Sequence, residues 1–381
     1  MSVEFAALLG GLALASDEIR MWGPSCEPTV GAQNECGADE LTGRIDGPPI
    51  SFPTGVAARV AALGTLLGVD AFSHLSLRAR IAGLTRRSPT SCGGSTRLMR
   101  AADQWVALAL ARQSDIELLP ALFETEIELP RTIGPPGSLA LWSLVERLAA
   151  TRPARDLVAR GILLALPIAI LGETNVSAAS PAAIWTPSSE PHSGSARPVV
   201  ADLSSLWAGP LCAHLLGQQG FDVVKVESLH RPDGARLGPA DFYETLHRGH
   251  EHRTFDFRAE DGRAALKRYV AQADVVIAAS RPRALEQLGI APHANQVWLS
   301  ITGHGRAGPG SDRVAFGDDA AVAGGLVAFD DAGPCFLADA IADPLTGMCA
   351  ALAVQRAWAT GQGGVADIAM ARVSAWFTGT V

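Results

Sequence analysis

Two helix starts in this chain combine residue types that can do chemistry. In "FLADAIADPLTGMCAALAVQRAWATGQGG", Phe336 to Gly364, Asp343 precedes Pro344 and a long apolar run. Aspartate followed by proline suits a helix start. The free amides of a helix start also favour an ionised carboxylate and can meet an oxyanion. In "SSLWAGPLCAHLLGQQG", Trp207-Ala208-Gly209-Pro210 forms a second helix entrance. Small residues there let a ligand approach the backbone while the helix amides face outward. Taken singly, each stretch also reads as an ordinary helix start with proline in its first turn.

The elements that must position these residues alternate. From Val199, "VVADL" is followed by a helix from about Ala208 to Gln219, then "DVVKVE"; a helix around Gly262 to Gln272 leads to "DVVIAA", and "VWLSITGHG" follows a short helix. Strand and helix in alternation predict a parallel sheet with right-handed crossovers, which binds ligands at the carboxyl ends of its strands. No Gly-x-Gly-x-x-Gly follows the first strand and no Walker loop is present, so dinucleotide and ATP readings lose their support.

Upstream the pattern differs. Residues 1–55 are loose in composition, rich in glycine, proline and acids. A helix in "FPTGVAARVAALGTLLGV" leads a small mixed α/β unit, 56–173, in which "QWVALALA" reads as a strand and Ser114-Asp115 opens a helix. Residues 174–198 read as a serine- and proline-rich linker, and 199–381 as the Rossmann-like domain. The expected class is therefore α/β, a parallel sheet with a smaller mixed α/β domain.

At 381 residues the chain suits two domains, and its net charge of −8 argues against nucleic acid. Cys26, Cys36, Cys92, Cys212, Cys335 and Cys349 are scattered without metal-ligand spacing and read as reduced thiols, so no metal is expected. The apolar N-terminal stretch carries Glu4 where a signal peptide wants positive charge, and "ILLALPIAIL" is too short to span a membrane. The reading is a cytoplasmic protein with no membrane partner.

Five ordered blocks then carry a resemblance: "VVADLSSLWAGPLCAHLLGQQGFDVVKVESLHRPDGAR", "HRGHEHRTFDF", "ADVVIAASRPRALEQLGI", "LSITGHGRAGPGSDR" and "IADPLTGMCAALAVQRAWATGQGG". Over nearly all of 199–381 the chain resembles the class III CoA-transferases, which include formyl-CoA and carnitine CoA-transferases and have α-methylacyl-CoA racemase as a relative. The resemblance implies that Asp343 is the catalytic nucleophile and that coenzyme A is the shared co-substrate, passed from an acyl-CoA to a carboxylic acid through an acyl-aspartyl anhydride and an aspartyl-CoA thioester. It places the backbone of Trp207 and Ala208 along the cofactor, and Arg236 and Arg281 near its phosphates. It also makes Gly361, Gly363 and Gly364 a mobile loop.

Departures from the family pattern carry expectations of their own. His250 stands where the family commonly has a lysine beside the cofactor, and largely neutral histidine binds phosphate less well. Asp318 stands at the place of the racemase histidine, which argues against racemisation through that pair. The segments that resemble the family's small domain precede the nucleotide-type domain, a permuted order. The family's interlocked dimers imply a homodimer, or a heteromer with a homologue. Two alternatives stand beside transfer: an isomerase or racemase pairing Asp343 with His304 or Asp319, and a non-catalytic CoA-binding subunit.

Overall fold

The computed structural model describes residues 37–126, 139–175, 182–192, 194–280 and 282–379. In chain order, helices α1 (Thr54–Leu67) and α2 (Ala71–Ala82) come first, then strands β1 (Thr96–Arg100) and β2 (Trp105–Ala109). Helices α3 (Gln113–Glu117), α4 (Leu119–Phe123), α5 (Leu139–Ala149) and α6 (Ala154–Leu163) lead to β3 (Ile168–Ile170) and β4 (Ala183–Pro191). The alternating region runs β5 (Val199–Asp202), α7 (Ala208–Gln218), β6 (Asp222–Ser228), α8 (Ala240–Leu246), β7 (Glu251–Phe255), α9 (Glu260–Gln272), β8 (Val275–Ala278), α10 (Pro282–Gln287) and β9 (Val297–Thr302). It closes with α11 (Gly317–Ala323), the hairpin β10 (Val327–Asp330) and β11 (Gly333–Phe336), α12 (Ala342–Thr360), β12 (Gln362–Ala369) and α13 (Met370–Thr378).

The main sheet has seven strands in the order β4-β12-β9-β8-β5-β6-β7. Every pair from β12 to β7 is parallel, as the strand and helix alternation requires, and only β4 runs antiparallel. The mixed α/β class is what the sequence leads one to expect. One difference is β4, which lies in the stretch read as a linker. It pairs with β12 from Ala183 to Pro191 as an edge strand with a mostly exposed face, and an edge tolerates the Pro187 and serines that hid it.

One face of the sheet packs on α9 and α10 through Leu266, Val270, Leu285 and Ile290. The other packs on α7, α12 and α13, and this core also takes in Val56, Val60, Leu63 and Leu67 of α1 and Phe72 and Leu75 of α2. The leading helix, grouped by sequence with the small unit, thus buries its apolar face in the main core. The small antiparallel sheet β1-β2-β3 has a separate core with α3 to α6, including Trp142 and Phe123. Residues 37–55, read as loose, bury Ala38, Leu41, Thr42 and Phe52. A turn-rich strap packs through single side chains and so shows no periodicity.

Among the described residues no single helix is long and apolar enough to cross a membrane. The cysteines Cys92, Cys212, Cys335 and Cys349 are buried free thiols, while Cys26 and Cys36 lie outside the described residues.

Two packing details set the geometry of the site. Residues Pro344 to Ala357 of α12 are buried without a break. Where α12 crosses α7, a Cβ on Gly347 would stand 2.5 Å from the carbonyl oxygen of Ala208, so the crossing needs glycine. The second detail is a buried cation. Lys225, fully buried in β6, donates to Ser204 O at 2.5 Å and to Asp233 Oδ2 at 3.0 Å, with Asp202 Oδ2 at 3.6 Å. Asp233 in turn accepts the Leu206 N–H at 2.9 Å, so this network fixes the turn that enters α7. Lys225→Met would leave buried carboxylates without a partner and is expected to cost about 3–5 kcal/mol in urea unfolding. A cost under about 1 kcal/mol would mean that the network does not hold the turn.

Candidate active site

Asp343 occupies the first turn of α12, partly exposed, at the end of the sheet where the parallel strands present their carboxyl termini. The entrance of α7 lies beside it, because Gly347 is one turn further along the same face of α12 and abuts Ala208. Two helix N-termini thus converge on one carboxylate. Gly317, which opens α11, lies against the Asp343 carboxylate, and a side chain there would strike both Asp343 Oδ2 and Ala340 O. The Gly317 N–H lies close enough to the carboxylate to favour its charged form.

Three further charges surround it. Arg78 of α2 grips Asp339 with two bonds, Nε to Oδ2 at 2.8 Å and Nη2 to Oδ1 at 2.6 Å. Asp339 is fully buried and Arg78 is 29% exposed. The Arg78 guanidinium also lies 5.1 Å from the centre of the Trp207 ring. Asp318 of α11 accepts from Thr96 Oγ1 at 3.2 Å and from the Ala340 N–H at 3.1 Å.

These neighbours set the acidities. Burial pushes the Asp343 carboxyl up, Arg78 pulls it back, Asp318 and Asp339 raise it again, and the Gly317 N–H lowers it; it ends at about 7. Burial and Asp339 raise Asp318 to about 6 against the pull of Arg78, Ser91 and Thr96. Burial opposes the charge of Arg78, but Asp339, with Asp318 and Asp343 behind it, more than offsets this and raises its pKa.

The backbone around the site is strained. Ala338 and Ala340 sit at φ 51° and 45°, and Leu206, just before Trp207, at 72°. Non-glycine residues in this region cost about 1–3 kcal/mol each and persist where neighbours hold them. Here the holders are visible: Thr42 Oγ1 accepts the Ala338 N–H at 3.0 Å, Asp318 the Ala340 N–H, and Asp233 the Leu206 N–H.

Of the residues singled out by sequence, Asp343, Trp207 and Ala208 come together. Trp207 and Ala208 are buried, with the indole edge-on to Phe242. Arg236 is held by Glu227 at 3.0 and 2.6 Å and stacks 4.2 Å over Tyr243. Burial works against the Glu227 charge, but Arg236 and the Asp233 amide take its pKa down to about 2. His250 is not brought to Asp343. It precedes β7, at the amino ends of the strands, and lines a cleft of about 660 Å³ with His214, Arg248, Arg253 and Tyr269. Burial, then His214, His252 and Lys225, lowers it to about 4, so it is a neutral ring. Arg281 lies outside the described residues.

The glycine tract is not a free loop here. Gly361 ends α12 at φ 72°, and Gly363 and Gly364 begin β12, packed against Ala294 O, Glu190 O and Trp185 too closely for a side chain. Asp319 is buried and accepts the Phe316 N–H at 2.8 Å, which fits a helix start, and burial raises its carboxyl. His304 is held neutral by burial and by Arg313, at about 3. Sequence reasoning passed over Arg78 and Asp339. It also passed over Arg231 and Arg258, exposed cations just beyond the carboxyl ends of β6 and β7.

Residues 198–381, just under half of the chain, match the family model described as CoA-transferase family III. Succinyl-CoA–D-citramalate CoA-transferase of Chloroflexus aurantiacus is 32% identical over 189 residues, covering 44% of this chain and 47% of that one. Succinyl-CoA:glutarate CoA-transferase of Mus musculus is 27% identical over 233 residues, covering 55% and 48%. A solved CAIB/BAIF family protein from Brucella suis is 30% identical, covers 49% of this chain and 55% of that one, and has a TM-score of 0.44. The chain spans about half the length of the curated relatives it matches. The similarity to the class III CoA-transferase family thus falls on residues 198–381.

A raised carboxyl has a signed effect on stability. An unfolded aspartate releases its proton near 3.8, and Asp343 in the folded chain near 7, so between these values the folded state binds more protons. The contribution is full below 3.8 and is lost as pH rises through 7. Asp343→Asn is expected to raise Tm at about pH 8, with the gain vanishing toward about pH 4, in scanning calorimetry. A pH-independent difference would show that ionisation of Asp343 is not disfavoured.

Proposed function

We propose that the protein moves CoA from an acyl-CoA to a carboxylic acid, with Asp343 as nucleophile. The observation that carries this is the Asp343 carboxylate at a helix start, against the Gly317 amide and beside the entrance of α7. The family of residues 198–381 supports it.

The ionised carboxylate attacks the thioester carbonyl, the C–S bond breaks, and CoA leaves as thiolate, giving an acyl-aspartyl anhydride. The thiolate attacks the aspartyl carbonyl, releases the donor acid as carboxylate and forms the aspartyl-CoA thioester. The acceptor carboxylate attacks this thioester to form a second anhydride and free the thiolate, which takes the acceptor acyl group and returns Asp343 as carboxylate. Each step exchanges one acyl bond for another and consumes no proton. Amides at the starts of α11 and α12 suit the oxyanion of each tetrahedral intermediate. Arg231 and Arg258, at the carboxyl ends of β6 and β7, suit the phosphates of CoA.

Related proteins act on succinyl-CoA with dicarboxylic acids such as glutarate, which makes short acids the first to try. One relative is a beta subunit of a CoA-transferase, so pairing with a second copy or with a homologue belongs to this reading.

Incubation with paired acyl-CoAs and free acids is expected to yield new acyl-CoA species by mass spectrometry. Asp343→Asn should lower their rate about a thousandfold or more. Exchange undiminished in that variant would overturn the assignment.

A second reading has one observation in its favour, although an aspartate at this place departs from the racemase pattern: burial and Asp339 raise Asp318 to about 6, and its charge acts on Asp343, so the two can share protons near neutral pH. If the pair exchanges the proton on the α-carbon of an acyl-CoA, deuterium from D₂O enters the substrate without any acceptor acid. No incorporation, with transfer intact, would remove this reading.

A further inference from the structure

We propose that Arg78 is a positioning residue for the catalytic carboxylate: from a helix outside the family-matched region, it favours the ionised form of Asp343 and holds the turn that aims it. The inference rests on the reading of Asp343 as nucleophile. Arg78 belongs to α2, whose start is capped by Asp70 accepting the Ser73 N–H and whose face is buried in the main core through Phe72, Leu75 and Ala79. This anchoring fixes where the guanidinium can reach.

The guanidinium pairs directly with Asp339 and acts on Asp318 and Asp343 through its charge. Asp339 stands between the strained Ala338 and Ala340, in the turn that leads into α12; Asp318 comes from α11; Asp343 is in the first turn of α12. The bidentate grip on Asp339 takes two donors of the fork, and the flat cation lies over Trp207, so its orientation is fixed from two sides. The Cys92 thiol also faces Asp339, Asp318 and Arg78, and burial keeps it protonated. One cation among three acids cannot balance them all. Asp339 takes the direct ion pair, and Asp318 and Asp343 share what field remains.

Removing the cation then leaves Asp343 protonated at neutral pH, a poor nucleophile. Neutralising Asp339 acts the other way, since one fewer negative charge faces Asp343. A merely structural role would not give shifts of opposite sign. That difference supplies the test.

The Asp343 titration can be followed without substrate, by ¹³C NMR of the full chain carrying ¹³Cγ-labelled aspartate, with the resonance assigned by its loss in Asp343→Asn. Arg78→Met is expected to move the midpoint up by about 1–3 pH units, Asp339→Asn to move it down, and Arg78→Lys to restore it in part. The pH profile of kcat/KM for CoA exchange should shift with it. Midpoints unmoved in Arg78→Met, or moved the same way in Arg78→Met and Asp339→Asn, would overturn the proposal. Should Arg78→Met not fold, Arg78→Lys and Asp339→Asn carry the same test. Opposite midpoint shifts in a protein that exchanges no CoA would reject the transferase reading and leave the electrostatic coupling standing.

Discussion

The close crossing of α12 and α7 at Gly347 and Ala208 is the contact on which the site depends. With no side chain between them, the two backbones approach to contact, and the first turn of α12 is carried to the entrance of α7. A methyl group at Gly347 would strike a carbonyl oxygen, which cannot rotate aside as a side chain can. Because the residues around Gly347 are buried on all sides, the helix has no alternative seat. A carboxylate one turn earlier thus lies between two helix N-termini, where its ionised form gains from both dipoles.

Rigid helices alone would leave the carboxylate buried and protonated. Arg78 opposes this, and it belongs to a ring of groups drawn from distant parts of the chain. Arg78 and Asp339 are 261 residues apart, Thr42 and Ala338 296 apart, and Thr96 and Asp318 222 apart. Each of these contacts ends on the short stretch from Asp318 to Asp343. The left-handed Ala338 and Ala340 are the strain that this convergence imposes, and the three hydrogen bonds at Ala338, Ala340 and Leu206 hold it in place.

Residues before the family-matched region are therefore part of the site in this chain. Phe72 and Leu75 of α2 enter the same core as α12, and this hydrophobic seat delivers Arg78. The strap at residues 37–55 does the same for Thr42. The small sheet contributes Thr96 through β1 and otherwise keeps its own core. A module matched over 198–381 is in this way completed by polar groups presented from elements that share no motif with it.

By itself the sequence determined the parallel sheet and the helix entrance at Ala208, while Asp343 was singled out by the resemblance of its block to a known family. The first two follow from patterns that are local: alternation of strand and helix, and small residues with proline at a helix entrance. Tertiary structure decided the rest, because it turns on pairings between residues that have no local signature. Nothing near Arg78 marks it as the partner of Asp339, and an arginine on an amphipathic helix reads as solvated surface. β4 was hidden for a related reason, since an edge strand has one solvated face and looks like a linker until β12 lies beside it. The parallel register of β7 with β6 places His250 at the amino end of the sheet, where it lines a cleft with His214 and Tyr269.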